Sequence, residues 1–141
     1  MTPEELAAQF LALTDSRDWP AREALFAEDC ELVTPGGVLT GRAAGTAFSE
    51  PFVGAFSDAG HQVTLVLSGG DAAVVEGVFS GTHTSPLVTP AVDVPPTGRT
   101  VELPFAAVVR TEGDQIRSLR ISFDQMAFLG QPGLLPEPAS T

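Results

Sequence analysis

The sequence predicts a single α+β domain in which helices come first and a curled antiparallel sheet follows. Up to about residue 56, apolar side chains mostly recur every three or four positions, as on one face of a helix. From residue 61 to residue 124 they alternate with polar ones in segments separated by glycine-containing turns, as in strands joined by hairpins. A chain of 141 residues can bury one core of useful size.

The first helix is predicted at residues 3–14, because Thr2 suits the N-cap and Pro3 the first helical position. A second, short helix is predicted at residues 21–26, and Trp19 is expected to anchor the turn before it or to contact a substrate. A third helix is predicted at residues 42–56. Pro51 should kink or divide it.

Three phenylalanines, Phe48, Phe52 and Phe56, follow one stripe of this third helix at intervals of four residues. Such a stripe forms core or walls a cavity. The strands are predicted at residues 30–33, 61–67, 72–83, 100–110 and 116–124. The segment 85–98 is too long for a simple hairpin loop and is a candidate lid or rim. Residues 1–130 are assigned to the domain and residues 131–141 to a Pro-rich, draped or disordered tail.

Composition excludes several classes of function. The formal charge is −11, and the seven cationic side chains are all arginines spread along the chain, so a nucleic-acid partner is not expected. The N-terminal segment shows neither a signal peptide nor a membrane span. Cys30, the one cysteine, forms no internal disulfide, which suits the cytoplasm. His61 and His83 lack ligand-like spacing, so a metal site is not expected, and His61 is interpreted as a strand-edge residue.

The last strand has two different faces. Leu119, Ile121 and Phe123 alternate with Arg120, Ser122 and Asp124. The polar face is either the solvated side of an ordinary antiparallel strand or part of a cavity, where a carboxylate suits proton transfer. The predicted hairpin places Asp124 opposite residues 102–104, so Glu102 lies near it in the cavity or on a solvated rim.

The order of elements and four segments resemble the SnoaL-like polyketide cyclases of the nuclear-transport-factor-2-like superfamily. The segments are FSGTHTSP at 79–86, PPTGRTVELP at 95–104, EGDQIRSLRISFDQ at 112–125 and LGQPG at 129–133. The resemblance covers about residues 3–133. It implies a conical barrel in which the helices close over a curved sheet around a deep apolar pocket.

The resemblance also implies a function, which is cofactor-free ring closure of an aromatic or polycyclic secondary-metabolite intermediate by an intramolecular aldol reaction. Asp124 occupies the position of the family's general acid/base, and His83 matches a frequent pocket histidine. Ser122 and Arg120 would stabilise the developing negative charge. The expected pocket walls are Phe48, Phe52, Phe56, Phe79 and Phe105, with Trp19 as a further contact.

The chain departs from the family's pattern at three places. Thr34 stands where ketosteroid isomerases have an acidic base, Arg120 and Ser122 replace aromatic residues, and the insertion at 88–94 is long. Hydroxylation, isomerisation and epoxide opening therefore remain alternatives, as does a non-catalytic binding or dimerisation module. The expected partners are a small hydrophobic polycyclic substrate and a second copy of the chain, since a long apolar strand face requires a cover.

Overall fold

The computed structural model describes residues 1–88, 93–124 and 127. Its helices and strands are α1 (Pro3–Asp15), α2 (Trp19–Glu23), β1 (Phe26–Thr34), β2 (Gly37–Thr40), α3 (Arg42–Gly54), β3 (Gly60–Gly69), β4 (Ala72–Thr82), β5 (Leu87–Val88), β6 (Asp93–Val94), β7 (Thr100–Glu112) and β8 (Gln115–Phe123). The predicted tail at 131–141 and the segment LGQPG at 129–133 lie outside the described residues.

Six strands form one curved, open sheet in the order β2-β1-β8-β7-β4-β3, which confirms the predicted α+β class. Four of its neighbouring pairs are antiparallel, as predicted. The pair β1 and β8 is parallel, so that Leu32 lies beside Leu119. The first and last long strands of the chain therefore meet in the middle of the sheet. Strands β5 and β6 form a separate pair within the predicted rim segment.

Helix α1 begins where the sequence predicts. The Thr2 hydroxyl accepts a hydrogen bond from the Glu5 backbone N–H (3.2 Å), and the Glu5 carboxylate accepts one from the Thr2 N–H (3.4 Å). This capping box satisfies two N–H groups that have no partner within the helix. The face carrying Leu6, Phe10 and Leu11 is buried against the sheet. Amphipathic periodicity and end signals thus determine this helix.

The structure differs from the prediction between residues 19 and 34. Helix α2 ends at Glu23, and β1 already begins at Phe26 rather than at Cys30. Phe26 pairs with Ile116 of β8, and the Leu25 carbonyl accepts the Ile116 N–H at 2.7 Å. Pairing with a distant strand therefore overrides the local helical pattern. Cys30 is buried, as expected of a small hydrophobe.

Helix α3 stays a single helix with Pro51 inside it, and it lies with α1 and α2 on one side of the sheet. The core is continuous between these helices and the sheet. None of the helices in the described ranges is long and apolar enough to span a membrane.

Candidate functional site

A cavity of about 70 Å³ lies between the helices and the covered face of the sheet. Its lining is mostly apolar, with four polar side chains among it. The lining residues are Phe10, Leu11, Thr14, Arg22, Phe48, Ser49, Phe52, Val53, His61, Phe79, Leu103, Phe105, Ala107, Ile121 and Phe123. Ligand sites usually combine such an apolar wall with a few convergent polar groups. The volume holds a few water molecules, so a polycyclic ligand would have to displace side chains.

His61 and Asp15 form a hydrogen-bonded pair at this cavity. The His61 Nδ1 lies 2.5 Å from the Asp15 Oδ1, and the His61 backbone N–H donates to Oδ2 at 3.1 Å. The imidazole packs against the rings of Phe79 and Phe105, with centroids 5.1 and 5.3 Å away. With Nδ1 held by the carboxylate, Nε2 is the ring nitrogen available to exchange a proton with a ligand.

Asp15 is the last residue of α1, where the helix dipole disfavours a negative charge. Helix stability therefore does not account for a carboxylate at this position. Its two oxygens are instead directed at the first residues of β3, where they fix both the backbone and the ring of His61. This arrangement, a carboxylate that orients an imidazole, is a general feature of acid/base catalysts.

Arg22 of α2 is the second polar feature, with a residual exposure of 2%. Its Nε donates to the Thr14 hydroxyl and its Nη2 to the Ser49 hydroxyl, both at 2.9 Å. Burial lowers the pKa of Arg22 to about 10, which leaves the guanidinium charged at neutral pH. A permanent cation thus lies at the wall of an apolar cavity.

The predicted aromatic wall is largely present. Phe48, Phe52, Phe79 and Phe105 line the cavity. Phe56 lies behind them, against the rings of Phe52 and Phe79. Trp19 does not line the cavity. It packs on the guanidinium of Arg22, whose Cζ lies 5.4 Å from the centroid of the Trp19 ring. Their contact with a substrate remains a prediction.

His83 is buried but is not among the residues that line the cavity. Its Nδ1 lies 3.0 Å from the Thr97 hydroxyl and accepts the Thr97 N–H at 3.3 Å, which fastens the rim segment to the end of β4. Within the described part of the chain, its Nε2 is buried without a hydrogen-bond partner. A catalytic role for His83 stays a prediction.

The polar face of β8 differs most from expectation. Arg120, Ser122 and Asp124 are exposed, and none lines the cavity, whereas Ile121 and Phe123 do. Their expected placement in the pocket is not observed. Arg120 and Ser122 lie on the opposite side of the sheet because side chains alternate along a strand, and Asp124 lies just beyond the end of β8. A role for these three residues in binding or catalysis stays a prediction. The Asp124 carboxylate accepts the Ala127 N–H at 3.1 Å, just beyond the strand.

The register of the last hairpin agrees closely with the prediction, since Phe123 pairs with Phe105. Glu102 is exposed on β7 and does not enter the cavity. Thr34 lies where the family resemblance predicts that an acidic base is missing. Its hydroxyl donates to the Gly37 carbonyl and accepts the Gly36 N–H. In this chain that position stabilises the β1–β2 turn.

Asp15 and Arg22 were not predicted as site residues. His61 was predicted as a strand-edge residue and does lie on the edge strand β3, but it also lines the cavity. Asp15 and His61 belong to different elements, and nothing local couples them. A signal for Arg22 does exist, since it precedes the buried Leu25 and Phe26 by three and four residues and so lies on the inward stripe of a helical pattern. In the described residues, no three His, Cys, Asp or Glu side chains are grouped as metal ligands would be.

Comparison with known proteins agrees with this architecture. AclR, a candidate hydroxylase from Streptomyces galilaeus, is 17% identical with a TM-score of 0.80, over 95% of this chain and 97% of its own. IdmH, a candidate polyketide cyclase from Streptomyces antibioticus, is 23% identical with a TM-score of 0.80, over 94% and 99%.

A Catenulispora acidiphila protein with a ketosteroid isomerase-like fold is 23% identical with a TM-score of 0.76, over 96% of each chain. These identities establish the fold alone. No curated protein matches the sequence. The SnoaL-like domain family matches residues 7–119, which is most of the chain. The chain therefore belongs to the SnoaL-like family.

Proposed function

We propose that this protein is a cofactor-free enzyme that closes a ring in an aromatic or polycyclic secondary-metabolite intermediate by an intramolecular aldol reaction. The observation that carries the proposal is the His61–Asp15 pair at an apolar, ring-lined cavity. A fold shared with a candidate polyketide cyclase supports the choice of substrate class. The fold by itself does not specify a reaction.

The proposed reaction begins with neutral His61, whose Nε2 takes a proton from a carbon next to a carbonyl group. The resulting enolate carbon attacks a second carbonyl of the same molecule, forming the new carbon–carbon bond and an alkoxide. The imidazolium, stabilised by the Asp15 carboxylate, returns the proton to that alkoxide. No atom is gained or lost, so the product is an isomer of the substrate.

The test compares two candidates for the proton-transfer group. Exchange of the hydrogens next to the carbonyl of aromatic ketones, beginning with 1-tetralone, is followed in D₂O by proton NMR. His61→Gln should slow the protein-dependent exchange about 100-fold or more, and Asp15→Asn should slow it less, because general acid/base groups contribute about 10²–10⁴-fold. Asp29→Asn removes an exposed carboxylate outside the cavity and serves as the control.

Asp124→Asn provides the opposing expectation, since Asp124 is the acid/base group implied by the family resemblance. Loss of exchange in Asp124→Asn together with full exchange in His61→Gln would assign the reaction to Asp124. Full exchange in both variants would exclude both side chains as the proton-transfer group. No protein-dependent exchange in the unmodified protein would leave a binding module.

A second candidate reaction uses the same pair to activate water for epoxide opening, in which water adds to the substrate and no oxidant is needed. Its support is a cavity whose volume suits water molecules. Labelled water distinguishes the two reactions, because ¹⁸O enters the product only when water is the nucleophile.

We also propose that two copies associate. Strand β3 is at the edge of the sheet, and four of its apolar side chains are exposed: Val63, Leu65, Val66 and Leu67. Exposed apolar edges commonly mark interfaces.

A further inference from the structure

Arg22 is a buried cation that forms no direct ion pair with a described carboxylate. No carboxylate in that part lies within 4.0 Å of its guanidinium. The neighbouring Glu23 attracts the guanidinium only from a distance, and this attraction is smaller than the effect of burial on the pKa of Arg22. The Glu23 Oε1 instead accepts a hydrogen bond from the Thr46 hydroxyl at 2.5 Å. Arginines are almost never fully buried unless they are paired, because removing the charge from water is costly.

Neutral groups hold this cation in place. The Thr14 and Ser49 hydroxyls accept hydrogen bonds from Nε and Nη2 of Arg22. Three aromatic rings also surround the guanidinium, with centroids 4.8 to 5.8 Å from Cζ: those of Phe10, Trp19 and Phe26. The remaining terminal nitrogen, Nη1, makes no hydrogen bond to a described residue. The two hydroxyls and the rings thus fix the orientation of the guanidinium. Arg22 lines the cavity, and its Nη1 can still donate hydrogen bonds to a ligand there.

The charge of the side chains that line the cavity indicates which ligand groups could bind next to Arg22. Among the described residues that line it, Arg22 is the only permanently charged one, and the other walls are mainly aromatic and aliphatic. One planar guanidinium matches one planar carboxylate, whereas a phosphate dianion would keep an excess charge in an apolar site. The formal charge of −11 over the whole chain opposes the approach of anions, so binding one requires such a local cation.

We propose that the ligand of this cavity is an apolar molecule with a single carboxylate, and that Arg22 binds that carboxylate. The inference rests on the proposed function only in treating the cavity as the ligand site. It narrows the substrate to a carboxylic acid, with the ring system against the phenylalanines and the acid group against α2. The class of reaction that supplies such a substrate is one that leaves a free acid, such as hydrolysis of an ester or thioester.

The experiment titrates the full chain at neutral pH with benzoate and with benzamide, which have nearly the same shape and differ in charge. Binding is followed by NMR. Benzoate should bind about tenfold or more tightly than benzamide, as expected of a charge-assisted hydrogen bond. In Arg22→Gln the ratio should fall to about one, with the benzamide affinity changed by less than about twofold. Arg110→Gln removes an exposed cation outside the cavity and should keep the preference.

A second measurement needs no variant, in case Arg22→Gln fails to fold. The Nε–Hε resonance of Arg22 in the unmodified protein should shift with benzoate and stay in place with benzamide. Equal affinities for the two probes, a preference that survives in Arg22→Gln, or no binding of either probe up to about 10 mM would each overturn the inference.

The two proposals fail separately. Proton exchange and the preference for benzoate are separate measurements on the unmodified protein. A preference for benzoate in a protein that exchanges no ketone proton would remove the proposed reaction and leave the carboxylate site. Ketone exchange without a preference for benzoate would do the opposite.

Discussion

Two arginines of this chain show contrasting uses of a guanidinium. Arg17 donates through Nη2 to the carbonyls of Val53, Phe56 and Ser57, at 3.4, 2.7 and 3.3 Å, so it neutralises the C-terminal end of α3. Arg22 donates to two hydroxyls and touches no carbonyl or carboxylate of the described residues. The first arginine completes a helix end, whereas the second is oriented without being neutralised.

This contrast predicts opposite effects on stability. Arg22→Met replaces a buried charge with an apolar chain of similar length, so the free energy of unfolding should stay unchanged or rise. The Thr14 hydroxyl keeps its bond to the Phe10 carbonyl in that variant. The buried Ser49 hydroxyl loses its donor, at a cost of about 1 kcal/mol that removal of the buried charge should offset. Arg17→Met should lower the free energy of unfolding by about 1–3 kcal/mol, because carbonyls lose their donor. Urea denaturation of both variants tests this, and a large loss in Arg22→Met would indicate a purely structural role.

The sequence allowed the apolar residues that line the cavity to be predicted, but not the polar ones. Phe48, Phe52, Phe79 and Phe105 were expected as pocket walls from the family resemblance, whereas periodicity alone left the stripe of the third helix as either core or a cavity wall. His61 and Asp15 become partners only when the end of α1 meets the start of β3. Arg120 and Ser122 were misplaced because the alternation in β8 separates two faces but does not identify the one that encloses a cavity.

At the scale of elements, Gly77 of β4 makes room for the cavity wall. A Cβ at this position would clash with the Gln62 carbonyl oxygen and lie 3.0 Å from two ring carbons of Phe105. The Phe105 ring in turn packs edge-on against His61. One missing side chain thus allows an aromatic ring to rest on the strand and to support the imidazole.

Gly77→Ala should therefore damage both the fold and the site. Overpacking should lower the free energy of unfolding by about 1–3 kcal/mol, and displacement of Phe105 should reduce proton exchange through His61. Gly69→Ala in β3 is the matched control, because nothing lies within 4 Å of a Cβ there. Thermal denaturation and the ketone exchange assay report the two effects, and equal behaviour of the two variants would disprove the packing argument.

The strands that were predicted well are those joined by local turns. The hairpins β3–β4 and β7–β8 carry alternating patterns on both sides of a glycine turn, and their bounds differ from prediction by at most two residues. The α2–β1 boundary was wrong because Phe26 is committed to β1 by Ile116. No local pattern contains that pairing.

For the whole molecule, the exposed edge strand leads to the prediction of self-association. Leu65→Lys combined with Leu67→Lys should convert a dimer to a monomer, because two charges would be buried without partners. Val38→Lys changes an equally exposed apolar residue of β2, at the other edge of the sheet, and should leave the dimer intact. Sedimentation velocity tests the prediction, and an unmodified chain that remains monomeric at about 100 μM would contradict it.

The parallel pairing of β1 with β8 has a consequence for how the chain folds. During synthesis the helices and β1 emerge first, but Leu32 cannot meet Leu119 until nearly the whole domain has been made. Until then, the edge of β1 that will pair with β8 has no hydrogen-bond partner. Forming this pair also costs the entropy of closing a very long loop. Folding should be slow and largely post-translational, with the β3–β4 and β7–β8 hairpins forming early and the central pair last.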